Sequence, residues 1–249
     1  MKYKGKDITW VWLDLDDTLI DFTINSRAAL RKTFEAAGLE RWFDNAESWT
    51  RCYEKYNYPL WDELARGEIS TEYLRMERFR RPLAEGGADD ATARAESVKL
   101  DKVYLDLLAQ ETALVDGATD LLKSLRKAGV KIGILSNGFA DVQYRKINNA
   151  GLADLIDLTV LSDDIGVPKP DIRLYEHSME KTGDMNADHH LMIGDNPETD
   201  ISGALNAGWS ATLLQPQHED KKRKTIPEGA DSAETLKEVA GMLGIADSH

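Results

Sequence analysis

Short apolar runs alternate with amphipathic stretches along two parts of this chain and not along a third. Ile8 to Leu13, Val130 to Leu135, Leu158 to Leu161, Leu191 to Ile193 and Ala211 to Leu214 are runs of strand length and β-rich composition. Among the later runs, residues 118–128, 141–149, 171–182 and 199–207 carry helical periodicity, with Gly129, Gly151, Gly183 and Gly208 at terminator positions. Such alternation predicts a parallel sheet with helices on both faces, an α/β fold. From about residue 232 a single terminal helix is expected.

Residues 21–110 break the alternation. Ser26 is placed to cap a helix with Leu30, Phe34 and Ala37 on one face, stopped by Gly38. Ser70 is placed to cap a second, with Tyr73, Leu74, Met76 and Phe79 before Pro82, and a third stripe runs through Val98, Val103, Tyr104, Leu107 and Leu108. The expected organisation is a core of residues 1–20 and 111–249, interrupted by a helical insertion over 21–110.

Composition narrows the class. With 249 residues there is room for one core and one insertion, and 42% hydrophobic with 30% charged residues suits a globular protein. A net charge of −13 argues against non-specific nucleic-acid binding, which needs clustered Lys and Arg. The short basic run Lys221-Lys222-Arg223-Lys224, after Gln217-His218-Glu219-Asp220, reads as a solvated loop. A single cysteine, Cys52, excludes an intrachain disulfide framework and reads as a small buried hydrophobe. The N-terminus lacks an apolar segment of signal-peptide length and the apolar runs are too short to span a bilayer, so a cytoplasmic protein without membrane partners is expected.

Candidate chemistry lies at the strand ends, where ligands bind in parallel α/β sheets. Asp14-Leu15-Asp16-Asp17-Thr18 follows the first run, and a strand and turn bring Asp14 and Asp16 to one spot. Ser136-Asn137-Gly138, Lys169-Pro170-Asp171 and Gly194-Asp195-Asn196 with Asp200 follow the next runs. Each alone is an ordinary turn or helix start. Together they are complementary: the carboxylates would repel one another without a lysine and a hard divalent cation, and a hydroxyl with exposed amides suits a tetrahedral oxyanion.

Asp14, Asp16 and Thr18 match the DxDxT motif of the haloacid dehalogenase (HAD) superfamily, and Ser136, Lys169, Asp195 and Asp200 match its remaining motifs, so that nearly the whole chain resembles that family. The insertion between the first two motifs is similar to the family's helical C1 cap. The resemblance implies a Rossmann-like core and phosphoryl transfer through a phospho-aspartate. On it, Asp14 is the expected nucleophile and Asp16 the acid–base group. Mg²⁺ is expected on Asp14, the Asp16 main-chain carbonyl and Asp195. Lys169 is expected to shield charge, with Ser136 and the amides of Asn137 and Gly138 on the phosphate oxygens, Thr18 orienting Asp16, and Asp200 anchoring Lys169 or a metal-bound water rather than binding metal directly. Asp17 reads as a solvated neighbour or a helper in the turn. Because a leaving halide needs no protonation, an aspartate at position 16 favours a phosphatase over a dehalogenase; phosphomutases share the full set.

The core motifs do not choose a substrate. Asn57-Tyr58-Pro59-Leu60-Trp61 with Gly67-Glu68-Ile69-Ser70, and Ile132 to Phe139, resemble bacterial YjjG-like pyrimidine 5′-nucleotidases, which implies a nucleoside 5′-monophosphate substrate and a house-cleaning role. A base needs an aromatic wall, for which Tyr58 and Trp61 are the leading candidates beside Phe22, and Phe139 lies next to the phosphate loop. Asn57 also reads as a plain turn residue before Pro59. The rival readings are a phosphoglycolate or sugar-phosphate phosphatase and a non-catalytic binding module of the same fold. A monomer or homodimer is expected.

Overall fold

The computed structural model describes residues 1–216, 218 and 221–245; Gln217, Glu219, Asp220 and the last four residues lie outside the described residues. The chain divides into two compact units, one formed by Met1–Phe22 with the chain from Ala113 onward, the other by Thr23–Thr112.

The first unit is built on strands β1 (Lys2–Tyr3), β2 (Lys6–Asp7) and β3 (Trp10–Leu13), then β4 (Lys131–Ser136), β5 (Leu158–Leu161), β6 (His190–Gly194), β7 (Ser210–Leu214) and β8 (Asp231–Ala233). β1 and β2 form a small hairpin, and the other six form one sheet in the order β5-β4-β3-β6-β7-β8. Its pairings are all parallel. The run from Val11 to Leu13 is buried throughout, as expected of a central strand covered on both faces.

Register positions the chemistry. Leu13 pairs with Ile134 of β4 and Ile193 of β6. Asp14 therefore emerges level with Leu135 and Gly194, and its amide donates to Ile193 O at 3.0 Å. Three chain segments thus deliver polar residues to the same end of the sheet.

The helical unit contains α1 (Phe22–Ala36), α2 (Ala46–Ala65), α3 (Thr71–Glu85) and α4 (Asp90–Leu108), and α1 begins at Phe22, the last residue of the first unit's N-terminal segment. Its centre is aromatic: Trp49, Tyr53, Phe79 and Tyr104 pack with ring centroids 5.1 to 6.3 Å apart. The first unit continues with α5 (Ala118–Lys127), α6 (Ala140–Asn149), α7 (Ile172–Thr182), α8 (Gly203–Asn206) and α9 (Leu236–Met242).

Several local expectations are corrected. Ser26 is not a cap: it lies inside α1, buried, with its hydroxyl 2.8 Å from Tyr104 Oη. Neither Pro59 nor Pro82 ends a helix; both lie inside α2 and α3, where the aromatic packing outweighs the lost backbone hydrogen bonds. Asn57 is a buried helical residue, not a turn, and accepts the Tyr53 hydroxyl at 3.2 Å. Val98 is exposed because α4 turns a different face inward, carrying Ser97 and Asp101, the latter paired with buried Arg78. The terminal segment is β8 followed by α9 rather than one helix, since 231–233 adds an edge strand to β7. Ser70 does cap α3, accepting from the Tyr73 amide at 3.2 Å, and Cys52 is buried, which pushes its thiol up to about 11.

One buried histidine ties the sheet to pH. His190 opens β6; its Nδ1 accepts the Trp12 indole N–H at 3.0 Å, and its Nε2 lies 2.8 Å from Asp184 O. Those partners fit only the neutral ring with its proton on Nε2. Burial is the main reason its pKa lies below the ordinary 6.5. The folded protein therefore takes this proton less readily than the unfolded chain. The associated stability is complete above about pH 6.5 and is lost as pH falls, by up to about 1.4 kcal/mol per pH unit. Urea midpoints measured from pH 7.5 to 5 are expected to fall, and His190→Asn is expected to remove that part of the slope.

Candidate active site

Asp14 and Lys169 form the centre of the site. The Lys169 ammonium, almost fully buried, donates to Asp14 Oδ1 at 2.6 Å, to Asp200 Oδ1 at 2.7 Å and to Leu135 O at 2.6 Å. Three donated bonds use all three protons of an ammonium, so the geometry requires the charged form. Burial works against that charge, and the carboxylates of Asp14 and Asp200 outweigh it, holding the lysine above its ordinary range. Burial pushes Asp14 well above the usual carboxylate range, with Lys169 opposing it.

Each partner is fixed in turn. Asn137 clamps the Lys169 backbone, donating from Nδ2 to Lys169 O at 3.0 Å and accepting from its amide at 2.7 Å. Asp200 lies in a π-helical turn, Pro197–Ser202, entered through Asn196, whose side chain caps the amides of Glu198 and Thr199. Asp200 Oδ2 also accepts the Asn196 amide at 2.9 Å. Gly194 makes this approach possible, because a Cβ there would lie 2.3 Å from Asp200 Oδ2. Asp200 thus bonds the Lys169 ammonium directly.

Asp195 completes an acidic group. Carboxylate oxygens of Asp14, Asp195 and Asp200 all lie within 4.8 Å of one another. Burial, above all, raises Asp195 to about 6, against the pull of Lys224. Three carboxylates face two ammonium groups, Lys169 and Lys224, which leaves an excess of negative charge. Hard oxygen donors at this spacing fit a divalent cation.

The remaining expected residues divide. Ser136 is at the site, buried, with Oγ accepting from the Gly138 amide at 3.1 Å and from Gln143 Nε2 at 2.8 Å. The Gly138 amide bonds Ser136 Oγ and the Asn137 side chain serves Lys169, which places both residues in the loop beside Ser136. Thr18 does not orient Asp16: it is fully buried, and its hydroxyl has no hydrogen-bond partner among the described residues. Asp17 adopts a positive φ of 57° and accepts from Lys221 at 2.6 Å, the helper-in-the-turn alternative. Tyr58, exposed, and Trp61, half-buried, both lie on α2 of the helical unit.

Residues that escaped the sequence reading include the basic run. Lys224 Nζ donates to Asp195 Oδ2 at 2.5 Å and to Asp195 O at 2.7 Å, so this segment pairs with the site carboxylates instead of being a solvated loop. Gln143 and Lys146 of α6 reach Asp16: Gln143 Nε2 donates to Oδ2 at 3.0 Å and Lys146 Nζ donates to Oδ1. The available signal was the narrow apolar face of α6, where only Val142 and Ile147 accompany these two on the buried side.

Comparison with known proteins agrees with this geometry. The chain is 31% identical over 222 residues to the pyrimidine 5′-nucleotidase YjjG of Escherichia coli, covering 88% of this chain and 91% of that protein. It is 29% identical to a phosphoserine phosphatase of Thermus thermophilus, covering 82% of this chain and 89% of that one. Among solved structures, the putative HAD-hydrolase YfnB from Bacillus subtilis, bound to magnesium, superposes with a TM-score of 0.84 at 27% identity, covering 96% of this chain and 100% of that chain. Among the described residues no helix is long and apolar enough to cross a membrane. Residues 8–208 match the family description of haloacid dehalogenase-like hydrolases, and the motif residues of that span meet at the ends of β3, β4 and β6; the chain belongs to that family.

Proposed function

We propose that this hydrolase is a Mg²⁺-dependent phosphomonoesterase that acts through an aspartyl phosphate, with a nucleoside 5′-monophosphate, most favourably a pyrimidine nucleotide, as substrate. The observation that carries the reaction type is the 2.6 Å contact between Asp14 and Lys169 at the end of β3, with a second carboxyl group, Asp16, two residues on.

Asp14 attacks phosphorus as the ester P–O bond breaks, and protonated Asp16 passes its proton to the departing alkoxide, releasing the alcohol. Asp16, now a carboxylate, takes a proton from the water that attacks the acyl phosphate, which frees inorganic phosphate and restores Asp14. Lys169 offsets the charge shared by Asp14 and the phosphoryl group. Mg²⁺ held by Asp14, Asp195 and the Asp16 main-chain carbonyl would neutralise the phosphoryl oxygens. Ser136 is assigned to a phosphate oxygen.

The substrate assignment is supported by the similarity to the YjjG nucleotidase. Similarity to a phosphoserine phosphatase favours a small-metabolite alternative. A Mg²⁺-supplemented panel of dUMP, dTMP, phosphoserine and phosphoglycolate decides between them. Higher kcat/KM on dUMP or dTMP is expected, and faster turnover of either small metabolite would overturn the nucleotide assignment.

Tyr58 and Trp61 are assigned the base-stacking role on residue type and on their accessibility on α2. Trp61→Ala is expected to raise the barrier for dUMP by about 1–3 kcal/mol, the worth of one stacked base, relative to p-nitrophenyl phosphate. An unchanged ratio of the two kcat/KM values removes Trp61 from the site.

A further inference from the structure

We propose that Lys146 and Gln143 form a clamp that positions the Asp16 carboxyl group, making them positioning residues for the proton transfers; this rests on the phosphatase reading above. Both lie on the buried side of α6, three residues apart and so on one helix face, each about 1% exposed. A buried ammonium and a buried amide on a helix face that Val142 and Ile147 fill with apolar groups cost desolvation, so their contacts matter.

Those contacts close a ring. Lys146 Nζ donates to Asp16 Oδ1 and, at 2.8 Å, to Gln143 Oε1. Gln143 Nε2 donates to Asp16 Oδ2 at 3.0 Å and to Ser136 Oγ at 2.8 Å. Both carboxylate oxygens are thereby fixed from one side, while the Asp16 side chain keeps 28% of its surface open. The Lys146 ammonium also sits 5.3 Å from the centroid of the Phe22 ring, within cation–π range.

The clamp has space because position 138 is glycine. A Cβ at Gly138 would lie 2.1 Å from Gln143 Nε2 and 2.4 Å from its Cδ, deep in the glutamine amide. Gln143 therefore links the acid–base group to the Ser136 loop through a single amide nitrogen.

The test uses two leaving groups. Nitrophenolate departs without a proton and a nucleoside alkoxide does not, so a misplaced Asp16 slows the first step only for the nucleotide, and slows water attack for both. For Lys146→Met, kcat/KM on dUMP is expected to fall by about 10²-fold. With p-nitrophenyl phosphate the same variant should give a stopped-flow burst of about one nitrophenolate per enzyme, followed by slow turnover. Lys146→Arg should recover most of the dUMP activity. In an Asp16→Asn background Lys146→Met should change nothing further, as required of a residue acting through Asp16. Equal losses on both substrates with no burst, or an undiminished effect in the Asp16→Asn background, overturns the clamp. If Lys146→Met does not fold, Gln143→Leu is held to the same pattern. Should wild type and Asp14→Asn be equally inactive on every phosphomonoester, the phosphatase reading fails and the clamp with it. An active wild type whose Lys146→Met variant lacks the burst pattern overturns the clamp alone.

Discussion

Asp14→Asn is expected to cut turnover of p-nitrophenyl phosphate and of dUMP by about 10⁴-fold or more, the scale on which a lost nucleophile is felt. The amide is nearly the shape of the carboxyl group but does not attack phosphorus. Lys169 keeps two of its three acceptors, Asp200 Oδ1 and Leu135 O, so the cluster stays tied. One of three mutually close carboxylates loses its charge, which relieves repulsion. The variant should therefore unfold at a denaturant concentration close to that of wild type. Initial rates and a urea titration check both halves, and retention of more than about 1% of wild-type turnover would remove Asp14 from the nucleophile role.

Lys169→Met carries the largest expected cost in stability. The ammonium is buried, and its removal leaves Asp14 and Asp200 facing each other without their common donor. Breaking a buried ion pair by deleting one partner costs about 3–5 kcal/mol, because a charge stays behind without compensation. The urea midpoint should fall accordingly, and activity should vanish with it. Adding Asp200→Asn should recover part of the stability, since one of the stranded charges goes, without restoring turnover. A single variant within about 1 kcal/mol of wild type would show that the ammonium is not what holds the two carboxylates together.

The part of the site that the sequence made legible is the part that strand ends deliver. Asp14, Ser136 and Asp195 each follow an apolar run directly, and parallel register alone brings such positions level. Lys169 was legible through its motif, but its clamp by the Asn137 side chain was not, because a sequence does not say where an amide side chain points. Lys146 and Gln143 were hidden by their type: polar residues on an amphipathic helix are normally on its wet face, and only tertiary structure reveals that these are not. Lys224 was hidden by its neighbours, since a run of basic residues reads as solvated whichever one of them turns inward. Pro59 and Pro82 misled for a related reason, as local helix rules yield to an aromatic core assembled from three helices.

The position of β3 in the sheet also bears on how the chain is made. Synthesised before the other five strands of its sheet, it lies between β4 and β6, so that Trp10 waits for Lys131 on one side and His190 on the other. The helical unit, by contrast, is one uninterrupted stretch, Thr23–Thr112, and is whole before either neighbour of β3 has been translated. A ribosome-bound chain should therefore fold its insertion while the Trp10-Val11-Trp12-Leu13 segment still exposes unpaired strand edges. Only when β6 emerges does the strand that leads into Asp14 gain its second partner, so Asp14 is made before both flanking strands and held from both sides only after the second of them.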